Sequence, residues 1–65
     1  MTMAQHRAIF ALSMQKVGTR DKIDHFNAIV GSKYVRWSAT TNGEKHYLPS
    51  KKEASKYIGY LKQLD

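Results

Sequence analysis

The chain has 65 residues, no cysteine, and eleven Lys/Arg against five Asp/Glu, a formal charge of +6. That length allows one small α+β domain spanning 1–65, in which a chain buries only about 60% of its unfolded surface. The lack of cysteine excludes disulfides and thiolate metal sites, and the charge favours polyanionic partners.

Thr2 and Gln5 fit a capping box, so a first helix is predicted from Met3 to about Val17. Ala4, Ala8, Ile9 and Leu12 form one apolar stripe on it, and Phe10, Met14 and Val17 a second. A helix apolar on two sides needs two partners. Gly18 suits a left-handed stop. Thr19 is an expected N-cap for a second helix over about Arg20 to Val30, with Asp21 in its first turn. Ile23, Phe26, Ile29 and Val30 supply its apolar face, Gly31 ends it, and the two helices are expected to form a helical hairpin.

The period then changes. Lys33 to Ala39 alternates and is rich in β-formers, and Asn42-Gly43 is a strong hairpin signal because a type I′ turn needs positive φ at both central positions. With that turn, Thr41 pairs with Glu44, Ala39 with His46, Ser38 with Tyr47 and Trp37 with Leu48. One face would carry Val35, Trp37, Ala39, His46 and Leu48 as core. The other would carry Tyr34, Arg36, Ser38, Lys45 and Tyr47 as a basic aromatic surface.

Pro49 ends the second strand. Ser50 and Glu53 make a capping box for a third helix, from Lys51 to about Gln63, with Ala54, Tyr57, Ile58, Leu61 and Leu64 as its apolar stripe. Gly59 interrupts that helix, and close approach of another backbone would account for it. The order is two N-terminal helices, one β-hairpin and one C-terminal helix. A winged helix, with three helices before its wing, fits poorly.

Two stretches carry a resemblance: Thr2, Gln5, Ile9 and Leu12 near the start, and Leu48-Pro49-Ser50-Lys51-Lys52-Glu53-Ala54-Ser55 with Ile58, Leu61 and Lys62 towards the end. Together they resemble a small module of phages and mobile elements. It is found in GemA-type regulatory proteins of Mu-like phages and appended to phage recombination and single-strand-annealing proteins. The resemblance implies an accessory role near DNA metabolism and transfers no catalytic residue. The chain departs from that pattern in the middle, where the family has a short helical stretch and this chain has its Asn-Gly turn.

Single-stranded nucleic acid binds where flat side chains stack on bases and cations follow phosphates. Tyr34, Tyr47, Arg36 and Lys45 supply both ingredients on one expected face, and Lys51, Lys52 and Lys56 supply phosphate contacts at the start of the third helix. Trp37 belongs to the core. The three histidines, His6, His25 and His46, follow no recognised metal spacing, and no cofactor is expected. The carboxylates show no paired spacing, and no phosphate loop or nucleophile elbow is present, so no enzymatic activity is expected. The leading expectation is a nucleic-acid-binding accessory protein, single-stranded or non-specific. Its rival is a small modulator or inhibitor that docks on a protein, an acidic one included, through Phe10, Met14 and Val17, a stripe that would also serve a homodimer. No apolar run is long enough to span a membrane, the first residues lack the order of a secretory signal, and a host cytoplasm or nucleoid is the expected compartment.

Overall fold

A computed structural model describes residues 1–18 and 22–64. The fold has three helices, α1 (Met3–Lys16), α2 (Lys22–Val30) and α3 (Lys51–Gln63), and an antiparallel hairpin of β1 (Ser38–Thr41) and β2 (Glu44–Tyr47), placed between α2 and α3 in the chain. Both predicted capping boxes form. The Thr2 hydroxyl accepts from the Gln5 N–H at 3.1 Å while Gln5 Oε1 accepts from the Thr2 N–H at 3.0 Å. Ser50 and Glu53 repeat the exchange, each at 3.1 Å. These reciprocal bonds satisfy donors that a helix start otherwise leaves free. Gly31 ends α2 at φ +76°, and the N–H groups of Gly31 and Ser32 both bond the Asn27 carbonyl. The expected cap at Thr19 and the residues Arg20 and Asp21 lie outside the described residues.

The core is a single cluster of Ile9, Phe26, Trp37, Ala54, Tyr57 and Leu61, with Leu12, Ile23, Ile29, Val30, Ile58 and Leu64 packed around it. Phe26 and Tyr57 meet edge to face at 5.0 Å, and Phe26 and Trp37 at 5.7 Å, the offset geometry that ring quadrupoles favour. Each such side chain contributes about 1.5–3 kcal/mol through burial. Ser13 is the buried polar residue of this interior, and its hydroxyl donates to the Phe10 carbonyl at 3.2 Å.

α1 and α2 meet where the Lys22 ammonium lies over the Phe10 ring, but neither is the other's main backbone partner. The close backbone packing is of α1 on α3 and, over a shorter stretch, of α2 on α3. The C-terminal helix is therefore the spine. The start of α1 is fastened to it by Gln5 Nε2, which donates to the Lys51 carbonyl at 3.1 Å and to Ser55 Oγ at 3.2 Å.

The hairpin pairs in the expected register, Ser38 with Tyr47 through Thr41 with Glu44, and the Leu48 N–H continues it by bonding the Trp37 carbonyl at 3.0 Å. Its turn has φ +52° at Asn42 and +80° at Gly43, as a type I′ turn demands. The faces depart from expectation. The first strand begins only at Ser38, and of the five residues assigned inward only Trp37 is buried. Val35 is 88% exposed, Leu48 is 39% exposed, and His46 also faces solvent. The physical reason is that, among the described residues, the helices pack extensively on one another and not on the strands, so beyond Trp37 the strand alternation has little interior to point into. The molecule measures 41 × 22 × 21 Å, and the turn and both adjoining residues are exposed.

Candidate nucleic-acid interface

The site residues are positioned where the end of β2 meets the start of α1. Tyr47 closes β2 opposite Ser38 and is half-buried. The Met1 amine donates to the Tyr47 carbonyl at 2.8 Å and also to the Pro49 carbonyl. Held there, the first turn of α1 presents His6, whose ring lies on Tyr47 with centroids 4.6 Å apart and planes 33° from parallel. On its other side His6 meets Trp37 edge on at 5.7 Å. Three rings from α1, the loop before β1 and β2 therefore form one continuous aromatic group.

Two lysines lie near it. Burial lowers the His6 pKa below the ordinary 6.5, and the nearby charges of Lys22 and Lys45 lower it further. Lys45 is exposed on β2, and Lys22 opens α2 with its ammonium 3.3 Å from the centroid of the Phe10 ring, a cation–π contact. Burial also lowers the Lys22 pKa from 10.5. Among the described residues no lysine or arginine lies within 4 Å of a carboxylate. The close pair is His46 with Glu44 at 3.8 Å, on side chains 56% and 79% exposed, where such pairs contribute little.

The other expected contacts are placed differently. Tyr34 precedes the strand and does not share a platform with Tyr47. Its ring packs 6.2 Å from Phe26, and its hydroxyl donates to Glu53 Oε1 at 2.8 Å. Asn27 holds the backbone there, accepting from the Tyr34 N–H at 3.1 Å and donating to its carbonyl at 2.6 Å. The short polar side chain of Asn27 thus does the work of a strand partner, which no periodicity announces. Arg36 is exposed between Val35 and Trp37.

Lys51, Lys52 and Lys56 are all exposed on the first turns of α3. The helix end between them already holds an anion. The Ser50 N–H, then the Tyr34 hydroxyl, keep the Glu53 carboxyl below its ordinary 4.5. These lysines are available as separate side chains, whereas the helix terminus is occupied by Glu53. Phe10 and Met14 stand out from α1, 53% and 45% exposed, with Val17 at 36% just beyond its end.

Compared with known proteins, the chain matches no family model, no curated protein and no solved structure.

The described residues form no pocket, and the aromatic group lies on an open surface. Sequence reasoning missed His6 and Lys22 as members of this group. His6 lies three residues before the buried Ile9, which puts it at the border of the core face. Only the fold brings β2 to it. Chemically, the arrangement offers a partly exposed ring for stacking with lysines near it that, among the described residues, pair with no carboxylate within 4 Å.

Proposed function

We propose that this protein binds nucleic acid, preferentially single-stranded and without base preference, as an accessory protein of the phage or mobile-element type. The observation that carries this is the His6–Tyr47 ring pair with Lys22 and Lys45 near it. A base stacks on the exposed part of Tyr47, and its phosphates meet ammonium groups that pair with no carboxylate within 4 Å among the described residues. Arg36, Lys51, Lys52 and Lys56 extend the positive field along the backbone path. Tyr34 acts here as a structural anchor, so stacking rests on Tyr47 with His6 behind it. The resemblance to GemA-type modules supports the same setting.

Anisotropy of a short labelled single strand at two salt concentrations tests this. If four phosphates are neutralised, affinity falls roughly 50-fold between about 50 and 200 mM salt, from a slope near −0.7 per phosphate. Tyr47→Ala weakens single-strand binding by about 1–3 kcal/mol, the stacking contribution of one base. Binding that is absent at low salt, or unaffected by Tyr47→Ala in a folded variant, contradicts the proposal.

A further inference from the structure

The outer side of α1 carries a stripe of exposed apolar side chains. Met3 and Phe10 are each 53% exposed, Met14 is 45% and Val17 is 36%. Successive spacings of seven, four and three residues keep them in one narrow stripe. Exposed Ala4 and Ala11 border it, and the exposed polar residues of the helix are Arg7 and Gln15 alone. The inner side packs on α3 through Ile9. A helix apolar on both sides calls for a second partner.

We infer that this stripe docks an acidic amphipathic helix of another protein. Charge identifies the occupant. α1 contains no Asp or Glu. Arg7 sits within the stripe, Lys16 closes the helix, and the Lys22 ammonium overhangs Phe10 at 3.3 Å. A helix with carboxylates beside its apolar positions meets a cation at each of these places. A second copy of this chain, carrying +6 itself, brings cation against cation. Size points the same way. The stripe's four side chains, all on or just beyond one helix, are far fewer than the roughly 20–30 residues a side of a stable protein interface. It does match one helix anchored at i, i+3, i+4 and i+7 positions. This surface adjoins the proposed nucleic-acid site only at Lys22, and the inference stands without that site.

The probe is a labelled synthetic helix with leucines at those positions and glutamates beside them, compared with a version carrying lysines instead. The acidic peptide is expected to bind and to shift the amide and methyl resonances of Phe10, Met14 and Val17. The lysine peptide is expected to bind at least about tenfold more weakly, because its charges repel the surface. The Met14→Ser/Val17→Ser double variant, whose folding is checked by circular dichroism, loses at least about tenfold in acidic-peptide affinity while keeping its oligonucleotide affinity. The inference is overturned if both peptides bind equally or neither binds. It is also overturned if sedimentation shows a dimer that the double variant abolishes, or if anionic phospholipid vesicles take up the protein through this stripe while the peptide does not bind.

Discussion

Tyr57 is the residue on which burial acts most strongly. Its side chain is fully buried, its hydroxyl is hydrogen-bonded to His25 Nδ1 at 2.6 Å, and burial with help from Tyr60 pushes its pKa from 10.0 up to about 12. The folded state thus holds a proton that the unfolded state releases near pH 10. The associated stability is fully present below pH 10 and is lost as pH rises through about 12, a difference of about 3 kcal/mol at one residue. Tyr57→Phe is expected to cost about 1–2 kcal/mol at neutral pH, since it leaves the His25 nitrogen unpaired. In urea titrations it should also flatten the alkaline decline. An unchanged decline would show that other groups cause it. Glu53 gives the acid counterpart. Its lowered pKa contributes stability that is present above the ordinary carboxylate range and lost as pH falls through the lowered value. Tyr34→Phe removes one cause of that lowering, so its acid unfolding curve should be shallower than the parent's. His6 lies on the same side of neutrality as Glu53: with its pKa below 6.5, its contribution to stability declines as pH falls below that value.

At the scale of elements, local signals decided most of what was legible. The capping residues Thr2, Gln5, Ser50 and Glu53, the turn at Asn42-Gly43 and the apolar spacing of α3 are all short-range, and each element they define is present. The inward face of the hairpin was not legible, because alternation tells which residues share a side and not whether anything covers that side. Val35 and Leu48 are exposed for that reason. Removing the Ser50 hydroxyl as Ser50→Ala should cost about 1 kcal/mol by loss of the cap, seen in thermal unfolding. Gly59 presents the opposite case. Nothing lies within 4 Å of where its Cβ would stand, so the expected close approach of another backbone is not found there. Gly59→Ala should then stabilise α3 by about 0.5–1 kcal/mol. A destabilised variant would mean that the glycine serves a contact made only with a partner.

For the molecule as a whole, charge and shape act together. A spine helix carries α1 on one side and α2 on another, and the hairpin turn stands in solvent. Its cations are spread over α1, the hairpin and α3, and among the described residues no lysine or arginine pairs with a carboxylate within 4 Å, so the field is directed outward. Composition already announced that field. The meeting of His6, Trp37 and Tyr47 was hidden in the sequence, because its members lie 31 and 10 residues apart and are brought together by the packing of α1 on α3 and by the Met1 amine on the Tyr47 carbonyl. The most direct measurement of the central claim is a resonance-by-resonance titration of the labelled protein with a short single-stranded oligonucleotide at low salt. The largest shifts are expected at His6, the Trp37 indole, Lys45 and Tyr47, with an upward move in the His6 titration as phosphate arrives. Shifts confined to Met14 and Val17 on the outer side of α1, or none at all, would contradict that claim.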